Sequence, residues 1–275
     1  MDGELGDFLR SRRARIQPEE VGLPSYGRRR VPGLRREEVA QLAGVSVDYY
    51  IRLEQGRGPS VSDAVLDSIA RVLRMDETEH AYLITVARPP KKAERRRIAP
   101  LRVRPGVQLL LDSMERSPAF VLGPGMGALA WNALGDAVHG FSRMPPGRRN
   151  PVRQLFLDPE GRDLYVDRAT AATQCVANLR LSAGAHPDDP GLRDLVGELS
   201  LKSEEFRRLW ADHQVKACLY GVKHLRHPVA GLLTLSYESL ALPETPGQTV
   251  VIYTAEPGSE TAERLALLGS WATAH

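Results

Sequence analysis

Residues Arg35 to Arg57, RREEVAQLAGVSVDYYIRLEQGR, are the stretch whose spacing dictates a shape. Over Arg36 to Ala43, the residues Val39, Leu42 and Ala43 recur at helical spacing behind Arg36, Glu37 and Glu38, which predicts a short amphipathic helix. Gly44 stops it, because a glycine just past the last periodic position accepts the left-handed backbone of a sharp turn. Ser46 then stands where an N-cap belongs, starting a second helix at about Val47 that runs to about Gln55, with Gly56 as its stop. Tyr50 and Leu53, with Val45, face back toward the first helix and leave Val47, Asp48, Ile51 and Arg52 outward. Ala40, four residues before Gly44, is small where the two helices should cross. The pattern is a helix-turn-helix, whose second helix fits a DNA major groove about 12 Å wide. The plainer alternative is an ordinary packed helix pair using glycine for its turn.

The surrounding composition agrees with a nucleic-acid partner at the front of the chain. The 275 residues carry a net charge of +3 and are 42% hydrophobic, enough for two domains with real cores. Residues 1 to 104 hold 21 Lys and Arg against 15 Asp and Glu, whereas the remainder holds 16 against 19. The basic excess therefore sits with the helix-turn-helix. The two cysteines, Cys175 and Cys218, have no metal-ligand spacing, so neither a zinc finger nor a disulfide framework is expected. Neither a signal-peptide start nor an apolar run long enough for a membrane span is seen, so the chain reads as cytoplasmic.

In chain order, Glu4 to Ile16 predicts an amphipathic helix with Leu5, Phe8 and Leu9 on one face and Arg10, Arg12, Arg13 and Arg15 around it. Glu19 to Pro32, with Arg28 to Arg30, reads as a basic loop that either follows a phosphate backbone or is a solvated charge run. Ser60 with Asp63, then Asp76 with Glu79, resemble capping boxes opening helices to about Leu73 and Ala87. Val65, Leu66, Ile69, Val72 and Leu73 make one buried stripe, and Leu83, Ile84 and Val86 another. This gives an all-α domain of five helices over residues 1–87, a basic linker over 88–104, and a second domain over 105–275.

The second domain has a different texture. A helix around Leu109 to Met114 precedes two short strands, Ala119 to Leu122 and Ala128 to Trp131, separated by a glycine-rich turn. Asn132 caps a helix over Ala133 to His139, and Gly140 to Pro151 reads as a loop. Helices follow at about Asp167–Leu181, Gly191–Leu199 and Ser203–Asp212, then strands at about Val215–Leu225, Gly231–Leu242 and Thr249–Ala255, and a last helix from Ser259 to about Trp271. The order predicts an α+β domain resembling a PAS-like fold, whose sheet and helices enclose an apolar pocket.

Catalytic and cofactor signatures are missing. There is no nucleophile elbow, HExxH helix or Rossmann fingerprint, and Gly123 to Gly127 lacks the Lys-Ser/Thr of a phosphate loop. His224 and His227 sit three apart in a strand, on opposite faces, which is poor geometry for sharing a metal. No catalytic group, metal or cofactor is expected. Phe120, Trp131, Phe206, Trp210 and Tyr237 either line a cavity for an apolar ligand or form solid core, and His227 is placed to donate a hydrogen bond into such a cavity.

These segments carry a family likeness. Residues 4 to 87 resemble the Xre-type (Cro/repressor-like) helix-turn-helix domain, and RRRVPGLRREEVAQLAGVSVDYYIRLEQGRGPS is similar to its MmyB-like branch. ALAWNAL, LFLDPEGRDLY, LVGELSLKSEEFRRLW and RHPVAGLLTLSYESLALPETPGQTVVIYTAEPGS resemble the ligand-binding domain of the same regulators. The resemblance implies a transcription regulator with a PAS-like sensor domain, for which a hydrophobic small molecule such as a fatty acid is the suspected effector. It implies double-stranded DNA as partner. Arg36, beside Arg35, would grip phosphate, Ser46, Val47, Asp48, Tyr49 and Arg52 would present at the groove, and Arg57 would lie near the backbone. Ile51 departs from the pattern, standing where the family often has a polar residue, and Val166 to Ala169 lack an expected tryptophan. A homodimer on a palindromic site is expected, because one reading helix makes few base contacts. Two rivals stay open: a second domain that docks a protein partner, and an enzyme with a helix-turn-helix appendage.

Overall fold

Short helices need tertiary partners, and the N-terminal unit of the computed structural model supplies them to one another. The structure describes residues 3–24, 32–57, 61–88, 102–245 and 247–274. It divides into two compact units, one built on the helices before residue 88 and one on the elements after residue 104, with Ala211–Lys216 counting with the first. Among the described residues the first unit has α1 (Glu4–Arg15), α2 (Arg36–Ala43), α3 (Val47–Glu54), α4 (Asp63–Val72) and α5 (Glu77–Ala87). Phe8, Leu9, Val39, Ala40, Tyr50, Leu53, Leu66, Ile69, Tyr82 and Leu83 are buried at its centre. Phe8 meets Tyr82 edge to face at 4.9 Å.

Local signals set the ends of these helices. Gly44 is left-handed at φ 71°, and its N–H donates to the carbonyls of Ala40 and Gln41. Ser46 accepts from the Tyr49 N–H at 3.2 Å, and Asp76 and Glu79 cap reciprocally. Helix α4 begins at Asp63 behind Ser62; Ser60, the expected cap, lies outside the described residues. So do Arg28 to Arg30 and residues 89–101 of the basic linker. Two expectations change. Tyr82, rather than Val86, shares the α5 core stripe with Leu83. Arg12 and Arg13, expected around the rim of α1, are buried.

The second unit is the expected α+β, PAS-like domain. It comprises α6 (Pro105–Asp112), β1 (Ala119–Leu122), β2 (Ala128–Trp131), α7 (Ala133–His139), α8 (Pro151–Leu157), α9 (Pro159–Asp163), α10 (Arg168–Ala185), α11 (Pro190–Lys202), α12 (Glu204–Ala211), β3 (Tyr220–His227), β4 (Gly231–Ala241), β5 (Thr249–Thr254) and α13 (Glu260–Ala274). The hairpin and the three later strands join into one antiparallel sheet in the order β2-β1-β5-β4-β3, through pairing of Ala119–Leu122 with Thr249–Ile252. Strand alternation splits the sheet into two cores. Phe120, Leu225, Leu233, Leu235, Val251 and Tyr253 face a large cluster that includes Phe156, Val176, Leu179 and Phe206 from the helices. Ala119, Val121, Ala130 and Val250 face Val107 and Leu111 of α6 on the other side.

Helices α8 and α9 were not expected, since Gly140 to Pro151 reads as a loop and no element was placed on the residues that follow it. Pro151 and Pro159 instead occupy the first helical turn, where a missing N–H costs nothing, and Asn150 caps α8 by accepting from Val152 and Arg153. Strand β3 begins at Tyr220, later than the expected Val215.

Candidate functional site

Helix α3 is held from behind by one carboxylate. Glu54 is fully buried and accepts from Arg13 Nε on α1 and from Arg36 Nε on α2, each at 2.7 Å, while Arg13 also donates to the Leu34 carbonyl at 2.7 Å. Burial alone would raise the Glu54 pKa; the Arg13 and Arg36 hydrogen bonds outweigh it and hold the carboxyl below its ordinary value. This clamp fixes the last turn of α3 to both preceding helices. Gly6 makes room for the contact, since a Cβ there would lie 2.0 Å from the Glu54 carbonyl oxygen.

The first turns of α3 remain outside. Ser46, Val47, Asp48 and Arg52 are exposed, Val47 at 40%, and Tyr49 and Ile51 are half-buried. Ile51 is thus less outward than its spacing suggested, while Tyr50 and Leu53 face inward as expected. Arg35 and Arg57 are exposed at either end, Arg35 pairing loosely with Glu37 at 3.8 Å. Arg36 donates from Nε to Glu54 while its side chain stays 41% exposed, so it joins the helices and still reaches the surface.

In the second unit, a cavity of about 60 Å³ lies between the sheet and α10. Phe120, Tyr165, Tyr237 and Tyr253 form aromatic walls, with Cys175 and Cys218 between them. Lys223 is the cation of this wall. Its Nζ lies 4.7 Å from the Tyr237 ring and 5.9 Å from that of Tyr165. Among the described residues no carboxylate forms an ion pair with it. A groove of about 910 Å³ also runs along α7 and α13, past Leu134, Leu265 and Gly269.

Of the aromatic residues singled out from sequence, the cavity brings together Phe120 and Tyr237. Trp131 packs on Phe141 at 5.4 Å beneath the Arg149 guanidinium. Phe206 and Trp210 stack at 5.5 Å, with Phe156 edge-on to Phe206 and the buried Arg180 guanidinium 4.0 Å from the Trp210 ring. These three build core. His227 spends both ring nitrogens on backbone: Nε2 lies 3.0 Å from the Ala137 carbonyl, and Nδ1 accepts from Val229 and Ala230. It braces the β3–β4 turn against α7 rather than pointing into a cavity.

Lys223 was missed, although alternation along β3 could have exposed it. Residues 221, 223, 225 and 227 share the inward face, and a lysine on a core face asks for a reason. Among the described residues no cluster of three His, Cys, Asp or Glu side chains could hold a metal, and no helix is long and apolar enough to cross a membrane.

Comparison with protein families matches residues 4–83 to a helix-turn-helix domain and residues 103–268 to the MmyB-like transcription regulator ligand binding domain. No curated protein matches the chain. The second match covers more than half of the sequence, so the chain belongs to the MmyB-like transcription regulators, with a DNA-binding helix-turn-helix domain in front of a ligand-binding domain.

Proposed function

We propose that this regulator binds specific DNA sites as a homodimer and that its C-terminal domain senses a hydrophobic acid, a fatty acid in the simplest case. On the DNA side, the support is the exposed first half of α3, with Asp48 and Arg52 as polar readers, Val47 and Ile51 available for thymine methyl contact, and Arg35 and Arg57 at the flanks. Asp48→Ala should change sequence preference in a binding selection; an unchanged preference would remove α3 from the reading role.

Lys223 carries the ligand reading. A cation among aromatic rings attracts an anion, while the apolar walls disfavour a small hydrophilic one. The cavity is smaller than an acyl chain, so the walls part when such a ligand enters, and the ligand's preference for the parted state shifts the regulator between its forms.

The test starts from full-length protein, denatured so that any released organic fraction can be identified by mass spectrometry. A long-chain fatty acid bearing a photoreactive group is then added. Cross-links should fall near Phe120, Lys223 and Tyr237, and Lys223→Met should weaken the acid about tenfold while leaving its methyl ester unaffected. Cross-links confined to Leu134 and Leu265 would move the site to the α7–α13 groove. Absence of any acid binding would favour a domain that docks a protein partner.

A further inference from the structure

The chain contains two cysteines, and the fold brings both to one cavity: Cys175 from α10 and Cys218 from the segment leading into β3. Neither is in a disulfide. The Cys218 Sγ lies 4.0 Å from the carbonyl oxygen of Gln174. That carbonyl belongs to the peptide bond joining Gln174 to Cys175, so Cys218 lies against the backbone link that leads into Cys175. Lys223 shares the wall. The space of about 60 Å³ is roughly twice the ~30 Å³ that a water occupies in the liquid. It admits a molecule of a few heavy atoms without any movement of the walls.

We propose that this cavity is a thiol-oxidation site for hydrogen peroxide, in which Cys218 is oxidised first and Cys175 closes a disulfide onto it. Cys218 is half-buried, whereas Cys175 is buried, so peroxide meets the Cys218 sulfur first. Lys223, on the same cavity wall, is placed to return a proton to the leaving oxygen. The thiol gives its proton to solvent and the sulfur attacks one peroxide oxygen; the S–O bond forms, the O–O bond breaks, and the departing hydroxide takes a proton from Lys223, which is reprotonated from solvent. The products are the Cys218 sulfenic acid and water. Burial raises the pKa of the Cys175 thiol, keeping it protonated until the sulfenic acid forms in the shared cavity. Its sulfur then attacks that of Cys218, the S–S bond forms, and the hydroxyl leaves with the Cys175 proton as a second water. Peroxide gains two electrons and the two thiols lose them, so no further reductant or oxidant is required. The step does not depend on a fatty acid being the effector.

The test uses reduced full-length protein exposed to hydrogen peroxide, then denatured, alkylated, digested and mapped by mass spectrometry without reductant. A linked Cys175–Cys218 peptide pair that disappears on reduction is expected. Cys175→Ala should halt the reaction at a Cys218 sulfenic acid that dimedone traps, and Lys223→Met should slow oxidation about tenfold. Should Cys175→Ala fail to fold, the linked pair in the unaltered protein still decides. Two cysteines that remain alkylatable after peroxide, or only links between chains, or sulfinic acid without the linked pair, would each overturn the proposal.

Discussion

Replacing Glu54 by Ala would leave the Arg13 guanidinium buried without a counter-charge. Breaking a buried pair from one side costs about 3 kcal/mol, which urea unfolding of the N-terminal unit should register. Because hydrogen bonds from Arg13 and Arg36 hold the Glu54 pKa below its ordinary 4.5, its stabilisation is complete above that pH and fades as pH falls through the lowered value. His139 behaves differently. It is buried against Phe120, Phe141 and Tyr253, and burial first, with the charges of Lys223 and His227 after it, lowers its pKa from 6.5 to about 3. The folded state therefore favours the neutral ring. Stability from this group is full above pH 6.5 and declines by about 1.4 kcal/mol per pH unit on acidification toward pH 3. His139→Phe should flatten that decline in melting temperatures recorded between pH 3 and 6.5.

At the scale of elements, two glycines separate backbone strain from steric exclusion. A Cβ added at Gly44 would meet nothing within 4 Å, but the backbone there sits at φ +71°, so Gly44→Ala should cost about 1–2 kcal/mol through left-handed strain alone. Gly6 has ordinary helical backbone, yet its Cβ would strike the Glu54 carbonyl, so Gly6→Ala should cost more and should also displace α3. Thermal melts rank the two, and a Gly6→Ala protein as stable as Gly44→Ala would contradict the close approach. The turn at Gly44, the Ser46 cap and the strand pair Ala119–Trp131 were legible in sequence, because each depends on neighbours within a few residues. The Arg13–Glu54–Arg36 clamp was not. Its members come from three helices, and nothing local distinguishes a buried arginine from a solvated one on a charged helix. Likewise Pro151 and Pro159 look the same whether they end a loop or begin a helix, and the caps and packing around them decide.

At the scale of the whole molecule, homodimeric binding makes a measurable demand. If two heads engage one duplex together, deleting one half-site should weaken binding by about a hundredfold or more, because the second contact is made at high effective concentration. Fluorescence anisotropy with duplexes carrying one or two half-sites would read this, and equal affinities would rule out the dimer. The aromatic cavity, at about 60 Å³, carries a kinetic consequence of its own. If the effector is an acyl chain that enters only while the walls are apart, its observed association rate should climb with concentration and then level off at the rate of opening. Its apparent affinity is reduced by the fraction of time the walls spend open. Departure passes through the same opening, so the regulator would hold its signal for the lifetime of the closed state, remembering a past concentration of effector as much as reporting the present one.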